Sequence, residues 1–120
     1  MKRIAESLEN TYYIDIKKFD DAINTIKSIC TIIPYTESMH KNAYLITLDK
    51  RYDLEDPDAS IYASIKEFAS MEEVKNYELL FLTKNWRDFD KTIIKNELNN
   101  LRVKMFFSTG ECIRWIKNLI

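Results

Sequence analysis

Apolar positions along the chain follow two kinds of pattern. The first is helical. Lys2–Glu9 carries Ile4, Ala5 and Leu8 on one side. A second helix, from Lys17 to about Ser28, has Phe19, Ala22, Ile23, Ile26 and Cys30 on one face. Thr36 is placed to cap a third helix to about Lys50, lined by Met39, Ala43, Ile46 and Lys50. Asp56 and Pro57 open a fourth, with Ile61, Tyr62, Ile65, Phe68 and Ala69 inward. Phe89–Leu101 and the segment after Ser108 complete the set, the latter opened by a Ser108–Glu111 capping box.

The second pattern is the short, continuous apolar run. Thr11–Ile16 is aromatic and β-branched and reads as extended. Ile29–Ile33, stopped by Pro34, reads as a buried strand. Leu79–Thr83 and Val103–Phe107 read the same way, and Ser70–Glu78 is a polar connection with a turn or two of helix. Helices and unalternating strands in succession predict an α/β fold, a three-layer parallel sheet flanked by helices. All strand carboxyl ends would then share one edge, where ligands bind in such sheets.

Composition narrows this picture. The 120 residues predict a single domain, 1–120, with 1–16 as a separate arm or edge segment, and 46% hydrophobic content supplies its core. One Gly and two Pro argue against disorder and against a turn-rich all-β fold. A net charge of −1 advertises no basic surface. Cys30 and Cys112 lack CxxC partners and read as free thiols of a reducing, cytoplasmic setting. No apolar run approaches the roughly 18–20 residues of a membrane span, and Met1–Asn10 has no signal-peptide core, so no membrane partner is expected.

Candidate chemistry gathers at the predicted carboxyl edge. Asp58 lies in the first turn of its helix, where the partial positive charge favours a carboxylate, and it projects along the apolar face. Asn85 and Asp88 follow the Leu79–Thr83 strand, three residues apart. Ionised carboxylates at such an edge suit a hard cation, Mg2+ or Mn2+. Each residue also has an ordinary explanation, as helix cap, first-turn acid or turn residue. His40 is the sole histidine and has no nucleophile pattern beside it; Glu37 is a first-turn acid; Gly110 stands alone, with no phosphate-cradling loop. Tyr12, Tyr13 and Trp86 offer stacking faces, and Lys84, Arg87, Lys91 and Lys95 offer phosphate contacts.

Two stretches resemble the PIN and PIN-like domain family. Leu54-Glu55-Asp56-Pro57-Asp58-Ala59-Ser60-Ile61-Tyr62-Ala63-Ser64 is similar to its later acidic helix, with Asp58 as the acid. Phe81-Leu82-Thr83-Lys84-Asn85-Trp86-Arg87-Asp88-Phe89 is similar to its strand, Thr-x-Asp/Asn/Ser and Asp-Phe motif. Ile32–Glu37, Val103–Phe107 and the helix after Ser108 extend the resemblance from about Lys17 to the C-terminus. It implies a metal-dependent ribonuclease, or part of one, hydrolysing RNA phosphodiester bonds. Asp58 and Asp88 would be metal ligands and Asn85 their positioning partner. The chain departs from the family in its first strand and first two acids: Tyr12–Asp15 is the sole stand-in for the strand, and Glu37 is not at the position of the second acid. A fold truncated in this way implies weak or absent activity for the chain alone, and either a homodimer or protein partner that completes the sheet, a missing segment outside this sequence, or a rearranged fold. The alternative reading is a non-catalytic interaction module. A third is an unrelated helical α/β domain, in which Asp58 and Asp88 would lie far apart.

Overall fold

The computed structural model describes residues 2–119, and the side chains of 5–119. The chain divides into two compact units, Met1–Pro34 and Tyr35–Ile120. The first is one helix, α1 (Lys2–Ile29). The second runs α2 (Glu37–Leu48), α3 (Asp58–Ala69), a 3-10 turn at Glu72–Val74, β1 (Leu79–Leu82), α4 (Trp86–Phe89), α5 (Thr92–Asn100), β2 (Val103–Phe106) and α6 (Thr109–Leu119).

The three-layer, PIN-like parallel sheet is corrected by this architecture. The structure is mostly helical, and its described residues contain a single two-stranded sheet. Two of the four predicted extended runs are not strands. Thr11–Ile16 lies inside α1, which also absorbs Lys2–Glu9 and Lys17–Ser28 into one helix. The helix propensity of a β-branched or aromatic residue is worse than that of alanine by at most about 0.7 kcal/mol, so a helical spacing sustained on both sides overrides it. Thr11 and Thr25 turn their hydroxyls back onto the carbonyls of Ser7 and Asp21, at 2.9 and 2.8 Å, and so satisfy themselves within the helix. Ile29 belongs to α1 too, and Cys30 N–H still bonds the Ile26 carbonyl at 2.8 Å. Ile32 and Ile33 are exposed and pair with no strand. Every described side chain of α1 except Ile23 is exposed.

The remaining two runs do form strands. β1 and β2 are parallel, in the register Leu79↔Val103 to Leu82↔Phe106. Thr83 N–H extends the ladder to the Phe106 carbonyl at 3.0 Å. β1 is only half-buried, because the sheet has no further strands to cover it. Arg102 makes the tight turn into β2 with φ 59°, a left-handed conformation more often given to glycine. Val103 is then buried, Lys104 exposed and Met105 half-buried.

The core of the second unit lies between α3, α2, α5 and the inner face of the strands. Ala43 and Ile46 of α2 meet Ala59, Tyr62 and Ala63 of α3, where small residues let the helices approach. Thr36 caps α2 as expected, accepting from Met39 N–H at 3.1 Å, and its hydroxyl also donates to Glu67 on α3 at 2.9 Å. Phe89 fills the space between strand and helix, edge-on to Phe81 at 5.1 Å and 6.5 Å from Tyr62. The expected Phe89–Leu101 helix is shortened to α5, Phe89 instead ends α4, and Asp88 lies inside α4 and caps neither. Ile94 and Leu98 carry the buried face of α5. On α6, Ile113, Ile116 and Leu119 are exposed and Cys112 is buried. Cys30 and Cys112 are both free thiols.

One half-buried carboxylate borders this core. Glu97 of α5 accepts from the hydroxyls of Tyr52 and Tyr62, both at 2.7 Å, and from Lys66 Nζ at 3.1 Å. Burial pushes its carboxyl up, but the three donors outweigh that and hold it below the usual glutamate value. Burial and the same carboxylate raise the Tyr52 phenol to about 12. Glu97→Ala would leave the fully buried Tyr62 hydroxyl without its acceptor. The expected cost is about 2–4 kcal/mol at neutral pH by urea unfolding. Because the folded carboxyl is held low, its contribution is present above the ordinary value of 4.5 and is lost as pH falls through the folded value. Glu97→Ala should therefore also flatten the acid side of the stability profile. A loss below about 0.5 kcal/mol would refute this role.

Candidate functional site

The sheet's end dictates where the polar cluster forms. Thr83 is pinned to β2 through its N–H, and its hydroxyl accepts from Asn85 N–H at 3.1 Å. This short turn fixes Asn85 as the residue before α4. The Asn85 amide then donates to Asp88 Oδ2 at 2.8 Å, three residues on, and to Asp58 Oδ2 at 3.1 Å, at the start of α3. Asp58 reaches the turn because it lies one helical turn before Tyr62, whose ring is buried in the core. The two carboxylates predicted to converge do converge, with Asn85 between them.

The preceding loop is also set by hydrogen bonds. Asp56 does not cap a helix beginning at Pro57; the Asp56–Pro57 peptide is cis and α3 begins at Asp58. Asp56 instead accepts from Ser60 N–H at 3.2 Å and Ser60 Oγ at 2.7 Å. Lys91, just before α5, donates to the carbonyls of Tyr52 and Asp53. That contact joins the end of the cluster to the loop that leads into α3.

The two acids are electrostatically unequal. Burial, followed by the hydrogen bond and charge of Asp88, raises the Asp58 carboxyl above the ordinary 3.8. Asp88 is held below that value by the Asn85 amide, then by the hydrogen bond with Asp58. Of the two, Asp58 is therefore the acid that ionises less readily and Asp88 the one that ionises more readily. Lys91 favours the charged form of both, and Arg87 that of Asp88.

The other candidates lie elsewhere or are otherwise engaged. Trp86 is exposed, with the Arg87 guanidinium 5.6 Å from its ring centre. Lys95 is paired with Asp90. Glu37 makes an exposed i, i+4 pair with Lys41 at 3.7 Å. His40 stands edge-on to Tyr35, whose hydroxyl donates to Ser60 Oγ at 3.2 Å. Tyr12 and Tyr13 are exposed on α1, and Gly110 opens α6. Glu97 is the polar centre that pattern reading did not single out, although an acid among Ile93, Ile94, Leu98 and Leu101 was its signal.

Among the described residues, no group of three or more His, Cys, Asp or Glu side chains is placed to hold a metal ion. Asp58 and Asp88 form a two-carboxylate set, which fits Mg2+ or Mn2+ when substrate oxygens and waters supply the remaining ligands. The Asn85 amide turns its NH2 toward both acids and so acts as their clamp. Among the described residues no helix is long and apolar enough to cross a membrane.

The unequal acids give a signed prediction. A raised folded carboxyl at Asp58 means that ionising it costs stability as pH rises through its folded value. The stability of Asp58→Asn relative to the parent should therefore increase as pH rises from the acid range to 7, in paired urea titrations. A difference that stayed constant, or ran the other way, would show that folding does not raise the Asp58 carboxyl. No family model, no curated protein and no solved structure matches this chain.

Proposed function

We propose that the Asp58–Asn85–Asp88 cluster is the divalent-cation site of a ribonuclease centre that hydrolyses RNA phosphodiester bonds, alone or as part of a larger assembly. The observation that supports it is the convergence of two carboxylates on one amide, across 27 residues of sequence, at the carboxyl end of a parallel strand. Asp58 and Asp88 would hold Mg2+ or Mn2+, which when bound supplies Lewis-acid polarisation of a phosphodiester and a more acidic water. The Asn85 NH2 now lies between the two carboxylates and would turn aside for a cation to take its place. A cation held by the two acids would favour the charged form of both. Lys84 and Arg87, on the same turn, offer charge to phosphate oxygens, and the exposed face of Trp86 offers a surface for a base.

A second reading has its own support: a non-catalytic module whose sheet is completed by a partner. β1 and β2 pair only with each other among the described residues, so each keeps an unpaired edge, and Leu82 is exposed. Protection of outer-edge amides of β1 and β2 from hydrogen exchange in an oligomer would favour it. Free exchange at both edges would count against it.

The catalytic reading is tested by titrating Mn2+ into the purified chain by calorimetry, then adding single-stranded RNA. Saturable binding is expected in the parent, at least tenfold weaker in the Asp58→Asn/Asp88→Asn double variant. RNA cleavage should be weak, abolished by chelation and absent in the double variant. Indistinguishable metal binding by parent and variant would remove the site from consideration.

A further inference from the structure

Helix α1 extends about 40 Å at the standard rise of ~1.5 Å per residue. Its apolar residues follow a heptad. The a positions are Ala5, Tyr12, Phe19 and Ile26, and the d positions are Leu8, Asp15, Ala22 and Ile29. Seven of these eight are apolar, and Ile16 and Ile23 widen the seam at e. The far side carries Glu6, Asn10, Lys17, Asp20, Asn24 and Lys27, with Tyr13 and Ile14 as its apolar exceptions. The seam is open: Leu8 is 67% exposed, Phe19 66% and Ile29 77%. Helices draw most of their stability from packing such a face, so α1 calls for a partner.

We infer that α1 is a dimerisation helix that pairs antiparallel with α1 of a second copy of this chain. The area suffices. The six exposed large seam residues, Leu8, Tyr12, Ile16, Phe19, Ile26 and Ile29, at on the order of 100 Å2 each, would bury about 1,200 Å2 across two helices, the lower bound of a stable interface. The pattern fits an identical partner, because the heptad is self-complementary when one helix is reversed. In that arrangement Ala5 lies opposite Ile29 of the second copy, Leu8 opposite Ile26, Tyr12 opposite Ala22, and Asp15 opposite Phe19. Large residues meet small ones at two layers. Asp15 selects the orientation. A parallel, in-register pair would place Asp15 against Asp15 inside the seam, where two carboxylates repel. The antiparallel pair separates them and leaves each beside a ring edge at the flank.

The test is sedimentation equilibrium of the full chain, with a chain mass of 14.3 kDa. A dimer is expected in the parent. Phe19→Glu should weaken dimerisation at least a hundredfold while leaving the near-ultraviolet signal of the Tyr35–Ile120 unit intact. Orientation is read from the exposed Cys30. Reversed helices place the two native Cys30 residues far apart, so the oxidised parent should not cross-link, whereas Ala5→Cys should cross-link to Cys30 of the second copy. A monomeric parent, or a dimer indifferent to Phe19→Glu, would overturn the inference. Ready Cys30–Cys30 cross-linking in the parent would overturn the antiparallel pairing.

Discussion

The second unit depends on a single half-buried carboxylate at the border of its core. Glu97 sits between Ile94 and Leu98 on α5 and gathers two phenols and an ammonium. Its partners come from the loop after α2 and from two turns of α3. Hydrophobic contact among these elements is non-directional and would tolerate sliding. Three hydrogen bonds to one carboxylate would not. They fix the rotation of α3 about its own axis, and hence the direction in which its first turn points.

That rotation is what the acidic cluster requires. Asp58 and Tyr62 share a face of α3, so anchoring the tyrosine aims the aspartate. From the opposite side, the end of the β1–β2 ladder fixes Thr83, Thr83 fixes Asn85, and Asn85 spans both acids. The cluster is thus assembled from two independent supports, helix and sheet, with Lys91 bridging back to the loop before α3. Two acids are brought together there, and one amide donates to both.

The sequence makes some of this legible and hides the rest for physical reasons. Thr36, Met39, Ala43 and Ile46 declare α2 because a cap and a buried stripe agree. Leu79–Leu82 and Val103–Phe106 are recoverable because short apolar runs bounded by polar residues have few other uses. Asp58, Asn85 and Asp88 come together as their spacing about β1 implies. Thr11–Ile16 and Ile29–Ile33 mislead because β-branched residues favour strands only when a sheet exists to receive them. A run of local preferences cannot report whether neighbouring strands are present, and the layer count was inferred from runs that became helix and linker. Glu97 was visible as an acid on an apolar stripe, but its meaning lay in Tyr52 and Tyr62, distant in sequence.

The one-residue corner at Arg102 has a consequence for how the chain can vary. In a strand, neighbouring side chains point to opposite faces. The corner therefore sets parity as well as direction: Val103 and Met105 turn inward and Lys104 outward. Adding or removing one residue there would invert that order and present an ammonium to the core. The chemistry of residue 102 is open to exchange, glycine included. The number of residues between α5 and β2 is not, and length at that junction is under tighter constraint than composition.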